Sequence, residues 1–239
     1  MNMKTYTRLV VNGCGYMVGY AHGNGHQDLA NQLKINNVAS LAKSDSSNDR
    51  IIRTTLKDSY DTADPTLYII GLSFLGRMEL PVQHLTNAFE GRWFSFQNSE
   101  NKKFLRDIIL SDNEFQSMLD IKHKAEAESI EDRLEDLMYK LLSLVSSLQF
   151  RGHSAIVFST ADDLIAPYLL IKKFKLLQLN TAFIQGLTWK SVDYQFKNDV
   201  TSSRYDQQNN TPECMKHPDP GAHCVLNNFL AAYIKSNSC

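Results

Sequence analysis

The segment from Thr66 to Leu72 is an almost uninterrupted apolar run of strand length. Strands of this kind, which lack alternation between polar and apolar residues, are typical of a parallel sheet that helices cover on both faces. Shorter apolar runs at 8–12, 38–42 and 154–159 have the same character. We therefore expect the core of this chain to be a parallel sheet with at least these four strands.

Segments with helical periodicity lie between and after the predicted strands. The clearest of them are His26–Leu33, Asp49–Tyr60, Ser129–Gln149 and Val225–Lys235, and weaker patterns predict a helix at 165–177 and a strand at 181–184. Since strand and helix alternate almost throughout, we predict a three-layer α/β/α sandwich with a mainly parallel, doubly wound, flavodoxin-like sheet. The chain is expected to form a single domain over 1–239, with a helical insertion at about 80–150.

Charge and composition exclude several classes of partner. The 25 basic and 26 acidic residues give a net charge of −1, which offers no electrostatic attraction to nucleic acid or to an anionic membrane. No apolar stretch approaches the roughly 18 residues of a membrane span. Four cysteines without a C-x-x-C pair indicate a reduced environment. We expect a soluble, cytoplasmic protein that binds neither nucleic acid nor membrane.

The segment Val10–Tyr16 is a predicted buried strand that leads into a glycine-rich turn. Ligands of doubly wound sheets bind outside the carboxyl ends of the strands, so the loops after 12, 42, 72 and 160 are expected to line any site.

Gly13-x-Gly15-x-x-x-Gly19 is one residue too long for a dinucleotide-binding turn, and no acidic strand end follows about 20 residues later. A nucleotide site is therefore a minor alternative, and no cofactor is expected.

Four short blocks follow the predicted strands or precede the last helix. They are Asn12-Gly13-Cys14-Gly15-Tyr16, Ser46-Ser47-Asn48-Asp49-Arg50-Ile51-Ile52-Arg53, Gly71-Leu72-Ser73-Phe74-Leu75-Gly76-Arg77 and His217-Pro218-Asp219-Pro220-Gly221-Ala222-His223. In this order and at these strand ends they resemble the SGNH (GDSL-like) hydrolases. The resemblance extends from residue 8 to about 236 and is greatest to small SGNH-like proteins of marine bacteriophages. It would place the protein in the cytoplasm of an infected host cell or in a virion.

The resemblance implies a role for each block. In the family, the first block supplies a serine nucleophile, the second and third supply oxyanion donors, and the last supplies the histidine base. A serine hydroxyl is a weak nucleophile without a base, and the tetrahedral oxyanion needs donors fixed in advance. The corresponding positions here are Gly15, Asp45, Ser73 and His217.

Three of these positions depart from the family pattern. Gly15 has no side chain, a carboxylate at Asp45 would repel an oxyanion, and Ser73 replaces an asparagine although its hydroxyl can still donate. His217 followed by Pro218 matches the base, but the usual upstream aspartate is replaced by Cys214. The resemblance thus implies an O-acyl ester hydrolase that is inactive as given. The alternative is a non-catalytic binding or structural module for a glycan or a protein partner. The ligand expected from the resemblance is an acylated carbohydrate or lipid.

Several side chains have two interpretations. Asn48 could place its amide in the substrate cleft or only cap the helix from Asp49, and Arg77, like Arg50 and Arg53, could recognise a carboxylate or phosphate or lie in ion pairs. We interpret Cys14 as a small buried residue and not as a substitute nucleophile, because its side chain should point away from position 15.

Two further alternatives concern metals and partners. His217, Asp219 and His223 could ligate zinc, but no fourth ligand is indicated and no metal is expected. We expect His223 to cap the last helix or to pack under the preceding loop. The apolar stripe from Ile130 to Leu148 is predicted to be core or a contact in a homo-oligomer.

Overall fold

The structure is a computed structural model that describes residues 5–44, 46–81, 93–97, 112–160 and 220–237. Its main sheet contains β1 (Arg8–Gly13), β2 (Asn37–Ser40), β3 (Thr66–Leu72) and β6 (Ser154–Ser159). All of these strands are parallel and are ordered β2-β1-β3-β6. The observed order confirms the predicted parallel α/β sheet, and all four predicted strands lie within it.

Helices cover both faces of this sheet. Their bounds are α1 (Gly15–His22), α2 (Gly25–Leu33), α3 (Asn48–Asp61), α4 (Asp112–Ala127), α5 (Ile130–Phe150) and α6 (Pro220–Asn237). Residues that alternate along β1, such as Leu9 and Val10, face opposite layers. Leu9 packs with α1, α2 and α6 on one face, whereas Val10 packs with α3 and α5 on the other. The molecule is thus a three-layer α/β/α sandwich, as predicted.

The helix α1 was not expected from the sequence. Two glycines and little amphipathic pattern make Gly15–His22 resemble a turn. Its stability comes from burial: Met17 and Tyr20 are fully buried against the sheet layer. Tertiary packing therefore overrides the weak helix propensity of this segment.

The segment between β3 and β6 contains strands as well as helices. β4 (Arg77–Pro81) pairs antiparallel with β5 (Trp93–Gln97) in a separate sheet of two strands. The helix α5 packs through Leu137, Leu141 and Leu148 onto the main sheet. Within the predicted insertion at about 80–150, α5 is a crossover helix of the sandwich, while the last two residues of β4, β5 and α4 lie in the earlier part.

The last described helix, α6, begins earlier than the sequence predicted. Its apolar side chains Leu226 and Leu230 are fully buried beside α2. The helix and strand predicted at 165–177 and 181–184 lie outside the described residues. In the described part of the chain, no helix has both the length and the apolar character that a bilayer span requires.

Candidate functional site

Two glycines shape the carboxyl edge of the sheet, where β1 and β3 end side by side. Gly13 pairs with Gly71 in register. A Cβ atom on Gly13 would lie 2.3 Å from Met17 Cγ and 2.6 Å from the Gly71 carbonyl oxygen, and one on Gly71 would lie 2.6 Å from Met17 Cγ. Because neither position has a side chain, Met17 can pack over both strand ends and hold α1 there.

Gly15 is the first residue of α1 and lies two residues beyond the Gly13–Gly71 pair. Positive φ angles occur among the described glycines at Gly13 and Gly152 but not at Gly15. The backbone at position 15 can therefore accept any L-residue, serine included. The absence of a side chain here is not imposed by backbone conformation.

The neighbouring Cys14 is fully buried. Its Sγ lies 3.3 Å from Thr160 Oγ1, and that hydroxyl donates to the Leu72 carbonyl oxygen. Cys14 therefore belongs to the packing between the ends of β1, β3 and β6. This geometry agrees with its interpretation as a small buried residue.

Asn48 and Ser73 lie together beyond the ends of β2 and β3. The Asn48 amide donates to the Ser73 carbonyl oxygen at 3.1 Å, and the Ser73 N–H donates to Asn48 Oδ1 at 2.8 Å. Ser47 caps α3 by accepting from the Arg50 N–H at 3.1 Å. Asn48 is thus not the cap, and its amide holds the loop after β3 against the start of α3.

The three arginines of the middle blocks have different environments. Arg50 is buried and donates to Ser46 Oγ at 2.9 Å and to the Leu41 carbonyl oxygen at 3.3 Å. Arg53 forms a 2.5 Å ion pair with Glu79 on β4. Arg77 donates to Ser73 Oγ at 3.2 Å. Arg50 and Arg53 therefore stabilise the fold, whereas Arg77 touches the candidate site.

A cavity of about 330 Å³ opens beside this site, between the start of α3, the loop after β3, and helices α4 and α5. Asn48 and Arg77 line it, so the cavity and the candidate site have these two residues in common. Three carboxylates and three further cations also line it. The carboxylates are Asp49, Glu128 and Asp136, and the cations are Lys124, Arg133 and Lys140.

Lys140 joins two of these carboxylates. Its Nζ lies 2.7 Å from Asp49 Oδ1 and 2.7 Å from Asp136 Oδ2. Burial acts to lower the pKa of Lys140, but hydrogen bonds to Asp136 and Asp49 outweigh it and raise the pKa above its ordinary value. Lys140 is therefore charged at neutral pH and is neutralised within the protein.

The last block is only partly described. Asp45, His217 and Asp219 lie outside the described residues, so the predicted roles of Asp45 and His217 stay predictions. His223 lies within α6, buried edge-on against the Tyr20 ring with centroids 5.5 Å apart. It therefore lies inside α6 and is not its cap, whereas the loop under which it was expected to pack lies outside the described residues. In the described ranges, no group of histidine, cysteine or acidic side chains is arranged to hold a metal.

Arg133 and Thr160 are site residues that the sequence did not single out. Arg133 lies on the polar side of an ordinary amphipathic helix, and only the packing of α5 against β4 and α4 brings it to the cavity. Thr160 follows β6, at a strand end that was expected to line the site. A closer search of that loop for hydroxyl side chains would have found it.

Comparison with known proteins finds only distant similarity. No protein-family model matches the chain, and no curated protein matches it. A solved structure of a proposed acylhydrolase from Bacteroides fragilis is 12% identical, with a TM-score of 0.46 over 98% of this chain and 88% of that chain. A GDSL-like lipase from Bacteroides thetaiotaomicron is 11% identical, with a TM-score of 0.45 over 96% of this chain and 88% of that one. Likeness this distant transfers neither an activity nor a residue role.

Proposed function

We propose that this chain is an SGNH-hydrolase-like protein of the O-acyl ester hydrolase type that is inactive as given, because Gly15 occupies the nucleophile position. The observation that carries the proposal is the placement of Gly15. It opens α1 directly after the first strand, at the edge where ligands of doubly wound sheets bind.

The surroundings of Gly15 also support an ester site. Gly15 and Ser73 both lie two residues beyond the paired Gly13 and Gly71, on adjacent strands. Ser73 is fully buried at this edge, and its Oγ accepts from Arg77, a bond that does not use its own hydroxyl hydrogen. A donor beside the nucleophile position is what acyl transfer requires.

The missing side chain determines the chemistry. An acyl-enzyme intermediate forms when a hydroxyl or thiol attacks the ester carbonyl, and glycine provides neither. Cys14 does not substitute for it, since its thiol is buried among the strand ends beside Thr160. Ester hydrolysis through residue 15 is therefore absent from the protein as given.

A second candidate function is a non-catalytic module that binds an acylated carbohydrate or lipid. The cavity lined by Asn48 and Arg77 favours it, because its volume of about 330 Å³ lies at the lower end of the range typical of small-molecule sites. A bacteriophage origin, and a location in the host cytoplasm or the virion, belong to either candidate as proposals.

Hydrolysis of p-nitrophenyl acetate tests the proposal. We expect the unmodified chain to show no turnover above the buffer rate. Gly15→Ser should give a small, measurable rate, well below that of a complete triad, because no aspartate stands at the usual place upstream of His217. Gly19→Ser, one helical turn further along α1, is the matched control and should remain at the buffer rate.

Two results would contradict the proposal. Equal rates for Gly15→Ser and Gly19→Ser would remove residue 15 from the site. Robust turnover by the unmodified chain that His217→Ala abolishes would require another nucleophile, and Ser44, Ser46 and Ser47 would be tested first because their loop follows β2 at the same edge.

A further inference from the structure

We propose that the cavity beside Asn48 binds an anionic group, a carboxylate or a phosphate, through Arg133 together with Arg77. The inference rests on the proposed function because it concerns the ligand of the same site. It identifies that ligand as one that carries an anionic group. Arg77 lines the cavity and also reaches Ser73 Oγ, so a group bound there lies beside the candidate ester site.

The charges lining the cavity do not all neutralise one another. Asp49 and Asp136 both contact Lys140 at 2.7 Å, and Glu128 lies 4.0 Å from Lys124. All three carboxylates of the lining thus have a cation near them. The two arginines bring the lining to four cations against three anions.

Arg133 is the cation of the lining that has no carboxylate partner among the described residues. Its Nε is buried and has no hydrogen-bond partner among the described residues, and its guanidinium forms no ion pair within the described part of the chain. Because Nε is closed to solvent, a ligand in the cavity would meet the terminal donors of the guanidinium, whose charge no carboxylate among the described residues pairs with. Because a guanidinium presents its donors in a planar fork, the matching acceptor is a carboxylate or phosphate.

The rest of the lining limits what such a ligand can be. Leu75, Met78 and Leu137 add apolar surface to the cavity. At about 330 Å³ the volume admits a small molecule but not a polymer chain. The ligand is therefore expected to carry one anionic group and a short apolar portion.

Calorimetric titration of the unmodified chain with inorganic phosphate and with butyrate tests this proposal. We expect one anion to bind with a stoichiometry of one, and the preferred anion identifies the ligand as phosphate-bearing or carboxylate-bearing. Arg133→Gln should weaken binding by about tenfold or more, as expected for a charge-assisted hydrogen bond. Lys57→Gln, which removes an exposed charge from the opposite end of α3, should leave the affinity unchanged.

Thermal unfolding separates a ligand contact from a structural one. Without anion, Arg133→Gln should unfold at the same temperature as the unmodified chain or higher, since no partner in the fold is lost. Arg133→Lys keeps the charge but loses Nε, and should bind the anion with intermediate affinity.

The proposal is overturned if neither anion binds, or if Arg133→Gln binds as tightly as the unmodified chain. A lower unfolding temperature for Arg133→Gln without anion would also overturn it, because that result gives Arg133 a structural role. None of these measurements involves turnover, so anion binding can fail while Gly15→Ser gains esterase activity, and the reverse.

Discussion

The two edges of the main sheet hold their polar groups in different ways. At the amino edge, Arg8 forms a bidentate ion pair with Asp58, with N–O distances of 2.7 and 2.8 Å, and Tyr68 donates to the same carboxylate at 2.8 Å. The neighbouring His153 accepts from the Thr66 N–H at 3.3 Å. Charges at this edge satisfy one another, and both partners of the ion pair are mostly buried.

At the carboxyl edge, the ends of β1 and β3 themselves are held by shape and neutral hydrogen bonds. Asn12 is fully buried and its amide nitrogen lies 2.9 Å from the hydroxyls of Thr54 and Thr55. Gly13 and Gly71 make room for Met17. The same edge also has the cavity beside Asn48, and the buried Nε of Arg133 there has no hydrogen-bond partner among the described residues. The comparison shows that Arg8 and Asp58 at the amino edge are paired within the fold, while the carboxyl edge has, besides its own ion pairs, an arginine with no ion pair among the described residues.

The largest loss of stability is expected when a side chain at position 13 fills the space that Met17 occupies. Gly13→Ala places a Cβ 2.3 Å from Met17 Cγ and 2.6 Å from the Gly71 carbonyl oxygen, at a φ of +156°. Overpacking against backbone, added to strain in φ, should lower the free energy of unfolding by about 3 kcal/mol or more. Urea denaturation followed by circular dichroism measures the change.

Gly152→Ala is the matched control for this substitution. Gly152 also has a positive φ, of +84°, but a Cβ atom added there would meet nothing within 4 Å. Its free energy of unfolding should fall only by the cost of the strained φ angle, about 1 to 2 kcal/mol. Equal losses for the two variants would show that close packing of Met17 does not shape the carboxyl edge.

A smaller loss of stability is expected from removing the charge of Asp58 at the amino edge. Asp58→Asn leaves Arg8 mostly buried without its ion-pair partner and should cost about 2 kcal/mol at neutral pH. Chemical denaturation at pH 7 measures it. Asp61→Asn, one turn further along α3 and exposed, should change stability by less than about 0.5 kcal/mol.

The same carboxylate predicts a pH dependence. Burial alone would raise the pKa of Asp58, but hydrogen bonds from Arg8 and Tyr68 and the charge of Arg8 hold the pKa below its ordinary value of 3.8. A lowered pKa stabilises the fold above pH 3.8, and this stabilisation is lost as the pH falls through the lowered pKa. Asp58→Asn should therefore lose less stability on acidification than the unmodified chain, and equal losses would contradict the assignment.

The sequence predicted the parts of the fold that depend on local pattern. β3 and β6 begin and end as their apolar runs indicated, and α5 differs from its predicted range by one residue at each end. The sequence placed Asn48 and Ser73 after strand ends but did not predict the hydrogen bonds that join them. The helix α1 was missed because its stability comes from burial of Met17 and Tyr20 and not from propensity.

The cavity could not be predicted because it depends on how distant segments pack. Arg133 looks like any solvent-facing residue of an amphipathic helix until α4 and β4 are placed around it. That its Nε has no hydrogen-bond partner among the described residues is a property of the tertiary structure alone. Sequence patterns indicate the edge of the sheet at which a ligand is expected, but not which charges at that edge have no partner in the fold.

The most direct test of the central claim, that residue 15 stands at the nucleophile position of an ester site, is covalent labelling with a fluorophosphonate followed by peptide mass spectrometry. We predict that the unmodified chain is not labelled and that Gly15→Ser is labelled at residue 15. The label should be absent from Gly19→Ser and reduced when His217→Ala is added. Labelling of the unmodified chain, or none at residue 15 in Gly15→Ser, would contradict the claim.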